Sequence, residues 1–171
     1  MKTIIISFTV IIASIIIGCS SYDNRSEKLF EEKFEFYPNM LTDATRSDTS
    51  MDYSMGLKEV MAKYDSKDYD GALNGINKYL SENPGYYKAK FYRGLIYLKN
   101  RESDKAITDF KEVVSNNSEF KEEAEWYLSL AYIRDKKKDE AVSLLTQMKQ
   151  TSNTQSERAE DLLKHISEWP E

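Results

Sequence analysis

An all-α stack of helical hairpins is the fold this sequence predicts, and three observations predict it. Apolar residues recur at helical spacing across 88–120, first as Phe91, Leu95 and Leu98, then as Ala106, Ile107, Phe110, Val113 and Val114. A short polar gap, Asn100 and Arg101, separates the two runs, so they fold back on each other as an antiparallel pair. The chain also matches itself at steps of 34 and 35 residues: Ala72, Ala106 and Ala141 align, with Ile76, Phe110 and Leu145 four places after each. One hairpin cannot bury both of its apolar faces, and repetition supplies the missing partner surface.

Taken in order, the elements begin with a leader. Met1-Lys2 carries one positive charge, and residues 4–17 form an almost unbroken apolar run, which as a helix would span about 21 Å. That is short of the roughly 30 Å hydrocarbon core of a bilayer, which favours a cleaved secretion signal, residues 1–18, over a spanning helix. The run ends Ile16-Ile17-Gly18-Cys19-Ser20 and resembles the bacterial lipobox, in which cleavage precedes the cysteine and the new terminus is acylated. Cys19, the single cysteine, is then a lipid anchor. Several acyl chains at about 0.8 kcal/mol per buried methylene hold a protein to a membrane where one would not. Ser20 in place of aspartate after the cysteine implies, by the rule for Gram-negative lipoproteins, passage to the outer membrane.

Residues 19–51 read as a tether followed by an aromatic helix. Leu29, Phe30, Phe34 and Tyr37 share helical spacing among acids over 25–37, and Pro38-Asn39 stops the run. Residues 40–50 are polar and without period. The aromatic segment either packs as an N-terminal helix or docks on the chain itself or on a partner. The first hairpin follows at about 52–65 and 69–81, closed by Asn83-Pro84-Gly85. The middle hairpin takes about 89–99 and 103–114, with Ser103 placed to cap its second helix. After the turn Asn116-Asn117-Ser118 comes a third pair at about 121–134 and 139–149, so that three hairpins occupy 52–153. Thr154 and Glu157 form a capping box opening a last helix to about 168, with Ala159, Leu162, Leu163 and Ile166 on one face. A helical stack needs such a solvated end cap. His165 stands alone there, the signature of a surface or packing residue rather than a metal ligand.

The pattern resembles the tetratricopeptide repeat family. The middle copy carries Gly94, Tyr97, Ala106 and Phe110; the third carries Leu128, Tyr132, Ala141 and Leu145, with Ser129 in the glycine place. The first keeps Ala72 and Pro84 but has Val60 and Lys63 where glycine and tyrosine are usual. No copy has the family's tryptophan, whose places are Gly56, Lys90 and Glu125. The resemblance implies a right-handed superhelical stack of three hairpins plus the C-terminal capping helix. It further implies a groove lined by the first helix of each repeat, here Leu57, Met61 and Tyr64, then Phe91, Leu95 and Leu98, then Trp126, Leu130 and Ile133, flanked by Asp65, Lys88, Lys99, Glu123 and Arg134. Family members that clamp a chaperone's C-terminal carboxylate use basic and asparagine side chains at places occupied here by Leu57, Phe91 and Trp126, which excludes that activity. An open apolar stripe of this size marks an interaction site. A partner's peptide or helix fills it, or the chain's own 29–40 segment does.

Composition excludes other classes. Removing 1–18 takes away Lys2 and no acid, leaving 23 basic against 29 acidic residues, a charge of −6 that argues against nucleic acid. No phosphate loop, nucleophile elbow, paired histidines or haem-attachment motif is present in the sequence, so no enzyme, cofactor, metal or small-molecule substrate is expected. The expectation is a lipid-anchored envelope adaptor for a protein partner. The alternative is a structural or self-associating protein whose groove its own N-terminal segment closes.

Overall fold

The computed structural model describes residues 24–41, 51–151 and 154–169. The apolar leader, Cys19, Ser20 and residues 42–50 lie outside the described residues, as do the side chains of 51–55 and of Thr154, and with them the capping box. Every regular element among the described residues is a helix. Helix α1 covers 24–33, α2 Met51–Asp65, α3 Tyr69–Glu82, α4 Tyr87–Lys99, α5 Ser103–Ser115, α6 Lys121–Arg134, α7 Lys138–Lys149 and α8 Thr154–Ser167. None of them is long and apolar enough to cross a membrane.

The chain divides into two compact units. In the first, Glu35–Ala131, α2 pairs with α3 and α4 with α5, and α3 packs on α4. The interior of this unit includes Met61, Ala72, Ile76, Phe91, Leu95, Ala106, Phe110 and Val113, all fully buried. Close approach of α4 and α5 rests on Gly94: a Cβ there would lie 2.7 Å from Cε1 of Phe110, so any larger residue must push the ring aside. Arg93 ties three helices together. Its Nε and Nη2 donate to the two carboxylate oxygens of Asp109 at 2.8 and 2.7 Å, and its Nη1 donates to Oδ1 of Asn77 at 3.0 Å. Burial pushes the Asp109 carboxyl up against the opposing pull of the guanidinium, while the carboxylate holds Arg93 above its ordinary value.

The second unit joins residues up to Phe34 with Tyr132–Glu171. Here α7 packs on α8, burying Ala141, Leu145 and Met148 of one and Ala159, Leu162 and Ile166 of the other. Helix α1 is secured within this unit by its aromatic and charged faces. The Arg134 guanidinium lies 4.0 Å from the Phe30 ring centroid and donates to Glu27 at 2.9 Å, and Lys33 donates to Asp161 at 2.8 Å. His165 is exposed on α8, with Nδ1 2.8 Å from the carbonyl oxygen of Asp161.

The hairpin turns follow one rule with an unusual residue choice. Lys67, Arg101 and Lys136 adopt φ of 65°, 64° and 60°. After each, the next amide reaches back five residues: Asp68 to the Lys63 carbonyl, Glu102 to Tyr97, Lys137 to Tyr132. This is the Schellman closure that satisfies the last helical carbonyls, and it ordinarily recruits glycine. A side chain in that left-handed region costs about 1 kcal/mol, part of which glycine would return to the unfolded chain as entropy. Lys67→Gly is therefore expected to raise stability by about 0.5 kcal/mol, read as a higher urea midpoint at unchanged slope; a lower midpoint would contradict the strain at this turn.

Two local expectations are corrected. Ser103 is the first helical residue of α5 rather than its cap; Glu102 holds the cap position and makes no side-chain cap bond. In α3 the cap is filled by a side chain, with Oδ1 of Asp68 accepting from the Gly71 amide at 3.0 Å. Helix α1 also stops at residue 33, four short of Tyr37. The pyrrolidine ring of Pro38 drives Tyr37 out of the helical region and removes an amide that a continuing helix would need.

Candidate functional site

What Pro38 releases from the helix becomes the centre of the site. Within Glu35–Ala131, residues 35–40 have no helical structure and lie against the first helices of the hairpins. Three tyrosines fix the backbone. The hydroxyl of Tyr127 donates to the Glu35 carbonyl at 2.8 Å, that of Tyr64 to the Tyr37 carbonyl at 2.7 Å, and that of Tyr92 to the Pro38 carbonyl at 2.9 Å. The Tyr92 oxygen also accepts the Met40 amide at 2.8 Å, so one phenol clasps two peptide units. Near the end of the segment, Asn39 donates to Asp65 at 2.8 Å.

Side chains supply the apolar half. Phe36 stacks on Tyr69 with centroids 4.1 Å apart and meets Tyr64 edge-on at 5.7 Å. Tyr37 sets its ring edge-on to Phe91 at 5.3 Å and to Phe120 at 5.9 Å. Leu41 is buried at the far end, whereas Glu35, Pro38 and Met40 are exposed. The result is a short ligand outside any helix up to residue 40, with two aromatic anchors, a proline, a turn in which Asn39 Oδ1 accepts the Leu41 amide at 3.0 Å, and a terminal aliphatic anchor. The environment is dry: burial pushes the phenols of Tyr64 and Tyr92 far above the ordinary tyrosine value, and Tyr37 is raised by burial first and by the nearby Glu123 carboxylate second.

All nine residues expected to line an open groove are interior. Leu57, Met61, Tyr64, Phe91, Leu95, Leu98, Trp126, Leu130 and Ile133 are each no more than 5% exposed. Phe91 is covered by Tyr37, and Tyr64 by Phe36 and the Tyr37 carbonyl. The remaining seven are packed as core rather than presented to solvent; Ile133 belongs to the second unit. Of the polar flanks, Asp65 and Glu123 face the segment, through Asn39 and at 3.4 Å through the Tyr37 hydroxyl. Lys88 pairs instead with Glu119, and Arg134 is held by Glu27 and Phe30.

Four side chains that meet the segment escaped the sequence reading: Tyr69 and Phe120, whose rings contact Phe36 and Tyr37, and the hydroxyl donors Tyr92 and Tyr127. Tyr92 and Tyr127 follow Phe91 and Trp126 at the same repeat position, but periodicity marks them only as core. A weak signal was available: both carry a hydroxyl on an otherwise apolar face, and a buried phenol requires a hydrogen-bond partner.

No curated protein matches the chain. The family model described as tetratricopeptide repeat matches residues 57–120, which span most of α2 through α5 and reach Phe120. The two hairpins inside the match, α2–α3 and α4–α5, are thus similar to tetratricopeptide repeats, in keeping with the all-helical fold, and repeats of this kind generally mediate protein–protein interaction.

Proposed function

We propose that this protein is a lipid-anchored adaptor of the bacterial cell envelope, held to the membrane, on the outer-membrane route, through an acylated Cys19, and that its repeats present a peptide-binding face to a protein partner. The observation that carries the binding role is the seated 35–41 segment: the face of α2, α4 and α6 already grips a short peptide segment through main-chain carbonyls and aromatic side chains. A surface built to hold one such peptide is suited to hold another. The anchor rests on the sequence pattern around Cys19, and the adaptor role on the interaction chemistry general to these repeats.

A second reading has a specific observation in its favour. Because the face is filled in cis, the protein could serve as a closed structural element of the envelope. Photocrosslinking in native membranes separates the two readings. A photoreactive residue replacing Phe91 is compared in the intact chain and in a Tyr37→Ala background. Capture of one specific protein, stronger in the Tyr37→Ala background, is the adaptor result. Crosslinks confined to the chain in both backgrounds would overturn it in favour of the closed structural element. Metabolic labelling with a fatty-acid analogue, lost in Cys19→Ala, tests the anchor separately.

A further inference from the structure

We infer that the partner determinant is a short peptide of the form aromatic-aromatic-proline-x-x-aliphatic, read in the same register as Phe36-Tyr37-Pro38-Asn39-Met40-Leu41, and that the chain's own copy is a competitor the partner displaces. This rests on the reading of the face as a peptide site and names its ligand class.

Three features carry it. First, the hydroxyls of Tyr64, Tyr92 and Tyr127 bond to carbonyls and an amide, groups that any peptide carries, and so they fix register and direction without demanding this chain's sequence. Sequence is read elsewhere: by the Tyr69–Tyr64 corner that takes Phe36, by the Phe91–Phe120 corner that takes Tyr37, and by the buried place of Leu41. Proline suits its position, since the bond made there uses the carbonyl that proline retains and its ring fixes φ ahead of binding. Second, the backbone bonds of the segment run to side chains, through Tyr64, Tyr92, Tyr127 and Asn39, so its removal leaves the helical hydrogen bonds of the hairpins intact. Third, one edge stays in water: Glu35, Pro38 and Met40 are exposed, Met40 at 47%, which gives an incoming peptide a place to begin exchange.

The arithmetic allows displacement. A competitor carried on the same chain closes the face for part of the time and leaves it open for the rest. Cis occupancy thus lowers the apparent affinity for an outside peptide by the fraction of time the face is open, without abolishing it.

The test uses the purified full chain in detergent and a fluorescent peptide of residues 33–43, Lys-Phe-Glu-Phe-Tyr-Pro-Asn-Met-Leu-Thr-Asp, followed by anisotropy. Tyr37→Ala, which weakens only the cis copy, is expected to bind this peptide at least about tenfold more tightly than the unaltered chain. Adding Tyr92→Phe removes both the bond to the Pro38 carbonyl and the one from the Met40 amide and should then weaken peptide binding by about 25-fold, about fivefold for each lost hydrogen bond, at unchanged helical circular dichroism. A peptide with Phe36 and Tyr37 both replaced by alanine should not bind. Equal binding by scrambled peptide, or no binding to Tyr37→Ala with its helical signal intact, overturns the inference. So does a concentration-dependent dimer of the unaltered chain that the peptide dissolves, because the occupant would then be a second copy. None of these readouts needs the envelope address or the natural partner, so the adaptor reading can fail while this one stands, and the reverse.

Discussion

Phe91→Ala is expected to destabilise the Glu35–Ala131 unit by about 4 kcal/mol, the upper range for truncating a fully buried aromatic. The size follows from position. Phe91 is completely buried and its ring meets five others: Phe120 stacked at 4.9 Å, Tyr37 at 5.3 Å, Tyr92 at 5.4 Å, Tyr127 at 5.8 Å and Phe110 at 6.0 Å. These partners come from α4, α5, α6, the turn before α6 and the 35–41 segment, so the cavity left behind cannot collapse from one side alone. A domain of this size has only about 5–15 kcal/mol in total, and the variant should approach marginal stability. Urea unfolding followed by circular dichroism checks it, with Phe91→Leu as the control: keeping most of the volume should hold the loss to about 1.5 kcal/mol. A loss under about 1 kcal/mol for the alanine variant would mean that the aromatic cluster is not the keystone its geometry describes.

The cluster also shows what the sequence made legible and where it fell short. Helix positions followed from periodicity because each hairpin has a clean apolar face and its turns fall at fixed intervals: α3, α6 and α8 start where the pattern places them, and α4 begins only two residues early. Gly94 against Phe110 was readable as close helix approach since no other residue type explains a glycine in mid-helix there. The stripe from Leu57 to Ile133 was readable as apolar but not as occupied, because composition cannot say whether an apolar face meets a partner, another helix or a segment of its own chain. The decisive information lay in Phe36-Tyr37-Pro38. Helical spacing of Leu29, Phe30, Phe34 and Tyr37 pointed to one continuous helix, and that local signal lost to a tertiary one: outside the helix, Phe36 and Tyr37 gain aromatic pockets and three carbonyls gain phenol donors that a helix would have denied them.

The phenols that hold the segment make it sensitive to alkali, and the sign can be worked out. Tyr64 and Tyr92 have folded-state values raised above the ordinary 10.0 by burial, reinforced in Tyr64 by the neighbouring tyrosines. A phenol must also keep its proton to donate to the Tyr37 or Pro38 carbonyl. A group raised in the folded state stabilises it fully below the unfolded value and loses that contribution as pH climbs beyond it, so no change is expected up to about pH 9.5. Above pH 10 each phenol subtracts about 1.4 kcal/mol per pH unit, and the pair about 2.7. Stability is therefore lost steadily as pH rises above 10, from a total that is itself small in a domain of this size. Absorbance at 295 nm should therefore show two phenols that resist ionisation until helical circular dichroism collapses, both events moving together. The Tyr64→Phe/Tyr92→Phe double variant separates cause from coincidence. It gives up about 1 kcal/mol per hydroxyl at neutral pH, yet its stability should fall far less steeply between pH 10 and 12, so that the two curves converge. If every tyrosine titrates near 10 while the helices remain intact, the hydroxyls are reached by water, and the tyrosine clasp on residues 35–40 is not the closed, dry contact that the peptide-binding reading requires.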